Sequence, residues 1–247
     1  IIYYMLFKWS EKKKLTGREY IAKTIVTSEL LKDIATHFGV ETFDVRSGFK
    51  YIAELIRNME GPRLYIGGGE ESYGYMIGDF VRDKDAVTSC CMIAETAAWA
   101  ASQGKILFDL LVDIYVRFGS YKEKQISVTK KGKAGAEAIQ QMMDTFRSHP
   151  PAALDGSRVV RILDYLSQNE TDCLTGDQKR ILQPRSNVLQ FFLEDGSKIT
   201  VRPSGTEPKI KFYFGIRAML RRAEEFGVTD KNLEQRIEAI AHSLGLS

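Results

Sequence analysis

The order of the elements predicted for residues 20–66 constrains the fold of this chain more than any other feature of the sequence. Apolar segments predict three buried strands, at residues 20–26, 40–45 and 63–66. Between them, residues 29–38 and 49–59 carry apolar side chains at helical spacing. This alternation of strands and helices indicates a parallel sheet with helices on its faces. Ligands bind such sheets at the carboxyl ends of the strands, where the sequence continues into the glycine-rich segment 67–74, predicted to be a loop.

The second half of the chain follows a different pattern, in which strands occur in hairpins rather than between helices. Residues 187–204 predict a β-hairpin, because Asp195-Gly196 is a pair that favours a tight turn. Another strand is predicted at 208–214, and helices are predicted at 134–148 and 230–244. We therefore expect the fold class α/β, with a parallel-sheet α/β/α domain followed by a smaller α+β domain that has an antiparallel sheet.

The length of the chain, 247 residues, is sufficient for two domains. The predicted boundary is the segment 118–124, so we expect the α/β/α domain over residues 19–120 and the α+β domain over residues 121–247. Residues 1–18 begin with an apolar run that is too short to span a bilayer. We interpret this segment as the end of a core helix from a missing preceding domain.

Composition and charge argue against several classes of protein. The net charge is only +3, and the basic runs at 12–14 and 130–133 lack interleaved aromatic residues, so we expect no nucleic-acid partner. Cys90, Cys91 and Cys173 do not suggest a disulfide framework, and a reducing cytoplasm fits them. No spacing of cysteine and histidine residues suggests a zinc site. We expect a cytoplasmic protein that has no membrane partner.

The segment ITVRPSGTEPKIKFYF, residues 199–214, contains the first candidate site. Two alternating arms flank a loop that supplies guanidinium, hydroxyl and glycine backbone groups, from Arg202, Ser204, Gly205 and Thr206. A phosphate dianion requires donors of these kinds. Strand alternation places Lys209 and Lys211 on one face of the second arm, so that one of them can add a cation. The alternative is a polar turn between two strands, since serine, glycine and proline are common in turns.

A second candidate site lies in GEESYG, residues 69–74, and in the charged segment 82–85. Glu70 and Ser72 can point the same way if this loop is extended, and such a pair suits the vicinal hydroxyl groups of a sugar. A solvated acidic turn is the alternative. For the charged segment, the alternative is a solvent-exposed face in which Asp85 only caps the following helix. Lys84 can instead reach a ligand.

Taken together, GEESYG and RPSGTEPKIKFY, residues 202–213, resemble motifs of the α-D-phosphohexomutase superfamily, which includes phosphoglucomutases and phosphomannomutases. The resemblance covers nearly the whole chain, because residues 23–56 and 78–87 resemble the third domain of this family and residues from 124 onward resemble the fourth. The four domains of such an enzyme surround a cleft. A phosphoserine in the first domain exchanges phosphoryl groups with a sugar phosphate, and a bisphosphorylated sugar is the intermediate.

The resemblance implies a role for each residue that matches a family motif. The residues that match the phosphate-binding set are Arg202, Ser204, Gly205, Thr206 and Lys211. The residues that match the sugar-binding side are Glu70, Ser72, Arg82, Lys84, Ser47, Gly48 and Lys50. Lys84 is also a candidate for positioning or proton transfer.

Two motifs of the family are absent from the sequence, namely the Ser-His-Asn-Pro type of phosphoserine loop and the Asp-x-Asp-x-Asp type of metal loop. The resemblance therefore implies that the catalytic serine and the ligands of Mg²⁺ lie in N-terminal domains outside this chain. Hexose 1,6-bisphosphate is the implied intermediate and activator of the intact enzyme. We expect the chain to bind the sugar phosphate of a hexose 1-phosphate/hexose 6-phosphate mutase and to be inactive alone. The alternatives are a phosphopentomutase of the same superfamily and a non-catalytic sugar-phosphate-binding module.

Overall fold

A four-stranded sheet organises the first of two compact units in a computed structural model, which describes residues 1–130, 132–205 and 207–246. This unit comprises Ile1–Gly119 together with Met219–Glu224. Its elements are α1 (Ile2–Glu11), β1 (Glu19–Thr24), α2 (Leu30–His37), β2 (Glu41–Val45), α3 (Phe49–Met59), β3 (Leu64–Gly69), β4 (Tyr75–Ile77), α4 (Ala86–Ala101) and α5 (Leu107–Phe118). The strand order is β2-β1-β3-β4. β1 is parallel to β2 and to β3, whereas the short edge strand β4 is antiparallel to β3.

Helices cover both faces of this sheet. On one face, Ile21 of β1 and Ile66 of β3 belong to an apolar cluster with residues of α1, α2, α4 and α5. On the other face, Tyr20 and Tyr65 belong to a cluster with Ile52 of α3. The alternation of strands and helices in the sequence therefore produces the predicted α/β/α layers, because each helix buries its apolar stripe on the sheet.

The glycine-rich segment is placed differently from its prediction. Gly67, Gly68 and Gly69 lie inside β3 rather than in a loop after it. A Cβ atom at Gly68 would lie 1.7 Å from the backbone oxygen of Ala22 in β1. A Cβ atom at Gly69 would lie 2.4 Å from the backbone oxygen of Gly74. These glycines therefore allow neighbouring backbone segments to approach closely.

Helix α1 packs in the same unit as the parallel strands. Ile2 and Leu6 are buried in the cluster that contains Ile21 and Ile66. The sequence pattern assigns residues 1–18 to a preceding domain. The structure places the helix of this segment against α2 and β3.

The second unit comprises Ser120–Ala218 and the chain from Glu225 onward, and it is built on an antiparallel sheet. Its elements are β5 (Ser120–Thr129), α6 (Gly132–Ser148), β6 (Ala153–Leu154), β7 (Ser157–Asp164), β8 (Asn169–Asp172), β9 (Gln178–Arg180), β10 (Leu189–Leu193), β11 (Lys198–Pro203), β12 (Lys209–Ala218) and α7 (Phe226–Ser243). The strand order is β5-β12-β11-β10-β7-β8-β9, and β6 pairs with β7. β5 begins at Ser120, inside the segment that we expected to separate the domains.

One face of the antiparallel sheet forms the core of this unit. Phe191, Val201 and Phe212 are fully buried there in a cluster with Met143 of α6 and Ile237 of α7. The fold class predicted from the sequence, a parallel-sheet α/β/α domain followed by an α+β domain with an antiparallel sheet, is confirmed.

The β10–β11 hairpin turns at Asp195-Gly196, as predicted. Gly196 has a φ of +86°, which glycine adopts without strain, and the carboxylate of Asp195 accepts a hydrogen bond of 2.8 Å from the backbone N–H of Ser197. Strands β8 and β9 are not predicted by the pattern, because the polar segment 169–180 shows no apolar alternation. Among the described residues, no helix is long and apolar enough to cross a bilayer.

Candidate functional site

The turn between β3 and β4 carries Glu70 and Ser72, the residues predicted to recognise a sugar. It is a tight turn and not the extended loop that the prediction assumed. The backbone N–H of Glu70 donates a hydrogen bond of 2.8 Å to the carbonyl of Gly74, which closes the turn. Tyr73 adopts a φ of +65° at its tip and is fully exposed. Ser72 is also exposed, so its hydroxyl is open to a ligand.

The carboxyl group of Glu70 lies against Gly74. A Cβ atom added at Gly74 would lie 2.7 Å from Oε1 of Glu70, so a larger residue would displace this side chain. Glu71 faces another neighbour, since its Oε2 accepts a hydrogen bond of 2.9 Å from the hydroxyl of Thr24 at the end of β1. The two adjacent carboxylates are therefore held by different parts of the unit.

A buried lysine lies beside this turn and was not among the predicted site residues. Lys23 of β1 is fully buried, and its Nζ lies 2.7 Å from Oδ1 of Asp44 and 2.9 Å from Oε1 of Glu29. Burial alone would lower the pKa of Lys23, but the two carboxylates outweigh burial and raise its pKa above the ordinary value. Lys23 therefore remains a cation. The feature of the sequence that could have identified Lys23 is the polar pair Lys23-Thr24 inside an otherwise apolar strand.

The loop between β2 and α3 carries the predicted residues Ser47, Gly48 and Lys50. Gly48 precedes the first turn of α3 with a φ of +120°, a conformation that favours glycine. The hydroxyl of Ser47 is buried and has no hydrogen-bond partner among the described residues. Nζ of Lys50 lies 5.0 Å from the centre of the Tyr51 ring. Because parallel strands end at the same edge of a sheet, this loop and the Glu70 turn both follow the carboxyl edge.

The segment before α4 positions the predicted basic pair Arg82 and Lys84. Arg82 forms an ion pair of 2.9 Å with Glu60, which follows α3. Nζ of Lys84 lies 5.7 Å from the centre of the Phe49 ring, at the start of α3. A cleft of about 420 Å³ is lined by Lys50, Ala53, Glu54, Arg57, Arg82 and Asp83. The structure thus brings Lys50 and Arg82 into one cleft, whereas Glu70 and Ser72 do not line it.

Asp85 caps α4, as the sequence suggested. Its carboxylate accepts hydrogen bonds from the backbone N–H groups of Val87, at 3.0 Å, and Thr88, at 3.4 Å. The hydroxyl of Thr88 donates a further hydrogen bond of 2.7 Å, and this bond contributes most to the lowered pKa of Asp85. The cap fixes the end of the segment that carries Lys84.

The predicted phosphate site lies in the second unit, at the β11–β12 connection. Arg202 and Lys211 are directly opposed across the antiparallel pair. They belong to the sheet face opposite the core, because their neighbours Val201 and Phe212 are fully buried on the core side. No ion pair between described residues involves Arg202 or Lys211. Within the described part of the chain, no carboxylate neutralises these two adjacent cations.

Backbone and hydroxyl groups shape the loop between these cations. The N–H of Ser204 donates a hydrogen bond of 2.7 Å to the carbonyl of Lys209, and its hydroxyl accepts one of 3.3 Å from the N–H of Glu207. Gly205 is exposed, and a Cβ atom added there would meet nothing within 4 Å. The fourth predicted residue, Thr206, lies outside the described residues. The loop thus leaves open space next to Ser204 and the cation pair.

Two models of protein families match the chain. The model described as phosphoglucomutase/phosphomannomutase, alpha/beta/alpha domain III, matches residues 1–118. The model described as phosphoglucomutase/phosphomannomutase, C-terminal domain, matches residues 123–225. The two matches follow one another along the chain, in the order of the two units.

Curated relatives give the same result. The chain is similar to a phosphoglucomutase of Staphylococcus saprophyticus, with 36% identity over 200 residues that cover 80% of this chain and 36% of the relative. It is similar to a phosphoglucomutase of Staphylococcus aureus, with 39% identity over 195 residues that cover 79% of this chain and 35% of the relative. The chain therefore spans little more than a third of the length of these relatives.

Two solved structures share the fold. The Paramecium phosphoprotein pp63/parafusin, a phosphoglucomutase in an open form, superposes with a TM-score of 0.60 and 19% identity over 90% of this chain and 38% of that one. A Thermus thermophilus protein described as a phosphomannomutase gives a TM-score of 0.54 and 16% identity over 93% of this chain and 39% of that one. At these identities the likeness concerns the fold alone.

Proposed function

The chain belongs to the phosphoglucomutase/phosphomannomutase family, and from this premise we propose that it is the sugar-binding and phosphate-binding half of a mutase that interconverts hexose 1-phosphate and hexose 6-phosphate. One observation carries the proposal: Arg202 and Lys211 are opposed across β11 and β12, next to the open loop of Ser204 and Gly205. Such an arrangement favours a compact dianion.

The second unit would hold the phosphate group that does not react. Arg202 supplies a planar fork of donors, Lys211 adds a point charge, and the loop adds the Ser204 hydroxyl and the backbone of Gly205. Thr206 belongs to this set by its position in the motif. These groups recognise the charge and shape of the phosphate and not the sugar attached to it, so they can hold either end of a bisphosphate.

The first unit would recognise the sugar hydroxyl groups and the developing charge on the substrate. Glu70 and Ser72 offer an acceptor and a hydroxyl at the edge of the sheet. The neighbouring segments, which line or flank the cleft next to α3, carry Arg82, Lys84, Ser47, Gly48 and Lys50. The exposed Lys84 is available to a ligand, and the buried hydroxyl of Ser47 has no hydrogen-bond partner among the described residues. Lys84 is our candidate for proton transfer or positioning.

The transferred phosphoryl group would come from a phosphoserine in another part of the complete enzyme. That serine donates its phosphoryl group to a hexose monophosphate, hexose 1,6-bisphosphate forms, and the other phosphate returns to the serine. The residues of this chain bind and orient the sugar in both directions of the reaction. Because the chain contains no serine loop of this type, we propose that it does not turn over substrate by itself.

Mg²⁺ belongs to the proposed reaction, in which it neutralises phosphoryl charge. No group of three or more His, Cys, Asp and Glu residues in the described part of the chain is arranged to hold a metal ion. The described residues thus do not fit a magnesium site, and we assign no step of this chain's chemistry to the metal.

Further domains of a complete mutase are the partner that we propose, because the relatives extend well beyond the matched region. The exposed side of α4 suits such a contact. Glu95 is the only charged residue in this helix, and Val87 and Ile93 are 73% and 44% exposed. An apolar helix face of this kind is unusual in contact with water. We place the protein in the cytoplasm, without a nucleic-acid or membrane partner, on the charge and cysteine content of its sequence.

A ligand titration tests the proposal directly. The chain is titrated with glucose 1-phosphate, glucose 6-phosphate, ribose 5-phosphate and inorganic phosphate while backbone amide NMR shifts are followed. We expect shifts at Gly205 with all four ligands and shifts at Glu70 to Ser72 with the sugar phosphates only. A preference for ribose 5-phosphate would support a phosphopentomutase instead. The absence of amide shift changes at both loops, at ligand concentrations up to millimolar, would contradict the proposal.

An activity assay separates the two remaining alternatives. Interconversion of glucose 1-phosphate and glucose 6-phosphate by the purified chain would overturn its proposed inactivity. Binding without turnover, even after addition of N-terminal mutase domains, would support a non-catalytic sugar-phosphate-binding module.

A further inference from the structure

We infer that Thr24 is a positioning residue, whose buried hydroxyl holds Glu71 and thereby fixes the turn that presents Glu70 and Ser72. The inference rests on the proposed function of this turn in sugar recognition. Neither Thr24 nor Glu71 is among the residues that the motif resemblance marks as ligand contacts.

The hydrogen bonds at Thr24 have a defined direction. Thr24 is fully buried at the end of β1, and its hydroxyl donates to Oε2 of Glu71 at 2.9 Å. The same oxygen lies 2.8 Å from the hydroxyl oxygen of Thr27. A hydroxyl has one proton to donate, so the Thr27 hydroxyl must be the donor in this second bond. The result is a chain of two hydroxyls that ends on the carboxylate of Glu71.

The start of this chain is anchored in the interior of the unit. The backbone N–H of Thr27 donates a hydrogen bond of 3.0 Å to the carbonyl of Thr24, which fixes the turn after β1. Nζ of Lys23 lies 3.4 Å from the carbonyl of Thr27 and also binds Glu29 and Asp44. Since Asp44 precedes the loop of Ser47 and Gly48, the network links the ends of both ligand-facing loops to one buried cation.

The contact with Glu71 matters because this residue stands between the two proposed sugar contacts. On one side of it, Glu70 is held by its own N–H, which binds the carbonyl of Gly74, and by the packing of its carboxyl group on Gly74. The Thr24 hydroxyl supplies the second tether of the turn. A turn tied at two points loses less conformational freedom when it binds a sugar, and this preorganisation raises affinity.

The test compares Thr24→Val, which removes the hydroxyl and keeps the shape, with Thr24→Ser, which keeps the hydroxyl. Amide NMR of the ligand-free chain should show displaced resonances at Glu70, Glu71 and Ser72 for Thr24→Val and restored positions for Thr24→Ser. We expect glucose 1-phosphate to bind roughly tenfold more weakly to Thr24→Val, as for a lost hydrogen bond to a charged group. Binding of inorganic phosphate should be unchanged in both variants.

A second variant tests the other end of the contact without altering a buried position. Glu71→Ala should weaken glucose 1-phosphate binding as Thr24→Val does, and the double variant should be no weaker than either single one, because both remove the same interaction. Should Thr24→Val fail to fold, displaced Glu70 and Ser72 resonances and weaker glucose 1-phosphate binding in Glu71→Ala support the tether, and unchanged resonances and affinity overturn it.

The outcomes separate this inference from the proposed function. Unchanged resonances of the turn in Thr24→Val, or equal glucose 1-phosphate affinity in that variant and the wild type, would overturn the positioning role alone. A wild-type chain that binds no glucose 1-phosphate would refute the proposed function. In that case the ligand-free resonances still decide whether Thr24 holds the turn.

Discussion

Arg202 of β11 and Lys211 of β12 lie directly opposite each other in the antiparallel sheet. Like charges at directly opposed positions destabilise a strand pair. No described carboxylate forms an ion pair with either residue, so the fold itself does not relieve this repulsion. A bound dianion would convert the repulsion into attraction, which is the physical reason for assigning the phosphate group to this place.

Removal of Arg202 should therefore affect binding and stability in opposite directions. We expect Arg202→Ala to weaken binding of phosphate esters by ~1.5–3 kcal/mol, the usual worth of a hydrogen bond to a charged group. The melting temperature should stay equal or rise slightly, because one of two adjacent like charges is lost. Isothermal titration with glucose 1-phosphate and a thermal melt measure the two quantities.

Arg180 is a matched control for this variant. It lies on the edge strand β9 of the same sheet and is exposed. Arg180→Ala should leave the affinity for glucose 1-phosphate within experimental error. Equal affinity of wild type and Arg202→Ala would remove Arg202 from the proposed site.

The carboxylate of Glu70 should govern the choice of sugar and not the binding of phosphate. We expect Glu70→Gln to reduce the difference in affinity between glucose 1-phosphate and ribose 5-phosphate, because an amide recognises hydroxyl groups differently from a carboxylate. Inorganic phosphate should bind as it does to the wild type. Competition titrations with the three ligands measure this selectivity.

Gly74→Ala provides an independent way to disturb the same carboxylate. A Cβ atom there would meet Oε1 of Glu70 at 2.7 Å, and the flexible side chain would have to move. The variant should therefore reproduce the loss of selectivity without altering Glu70 itself.

Loss of phosphate binding in Glu70→Gln would show that the turn has been assigned to the wrong part of the ligand.

The sequence was sufficient to predict the elements whose apolar spacing is regular. The α/β/α order of residues 20–66 and the Asp195-Gly196 hairpin are both local patterns, and both are present in the structure. The loop prediction for Gly67–Gly69 was wrong because a run of glycines indicates a close backbone approach without revealing which backbone approaches. The backbone next to Gly68 is that of Ala22 in β1, and the backbone next to Gly69 is that of Gly74, and both contacts depend on strand pairing.

The candidate site was predictable only for residues that lie within motifs. Lys23, Thr24 and Thr27 were not predicted, because the role of a polar residue at the end of a buried strand depends on partners distant in sequence, such as Glu71 and Asp44. The opposition of Arg202 and Lys211 likewise depends on the register of two strands. Alternation alone could not choose between Lys209 and Lys211, whereas the register pairs Lys211 with Arg202.

Two glycines on the proposed binding segments should respond very differently to substitution by alanine. Gly68→Ala places a Cβ atom 1.7 Å from the backbone oxygen of Ala22, and a backbone atom cannot move without separating β1 from β3. We expect the first unit to lose at least about 3 kcal/mol of stability, the upper range for overpacking. Gly205→Ala meets nothing within 4 Å and should leave stability within about 0.5 kcal/mol.

Intrinsic fluorescence during urea unfolding measures the first of these effects, because both tryptophans, Trp9 and Trp99, lie in the first unit. Wild-type stability in Gly68→Ala would show that the strands do not pair as described. A strong loss of stability in Gly205→Ala would show that its loop is more tightly packed than the structure indicates.

The ion pairs of Arg236 should make the second unit sensitive to acid. Its guanidinium lies 2.7 Å from Asp195 at the β10–β11 turn and 3.1 Å from Asp155. Burial tends to raise the pKa of Asp195, but the N–H of Ser197 and the Arg236 guanidinium outweigh it and hold this pKa below the ordinary 3.8. A depressed carboxyl pKa stabilises the fold above the unfolded-state value, and this stability is lost as the pH falls through the folded-state value.

We therefore expect Arg236→Met to lower the stability of the second unit by about 1–3 kcal/mol at pH 7 and by less at an acidic pH below the folded-state pKa of Asp195, where this carboxyl group is protonated in the wild type as well. Arg158→Met, which breaks the exposed pair of Arg158 with Glu194, should cost less than about 1 kcal/mol at either pH. Hydrogen exchange at the buried amides of Phe191 and Val201 reports on this unit. An equal effect of Arg236→Met at both pH values would mean that the arginine stabilises α7 through packing and not through its charge.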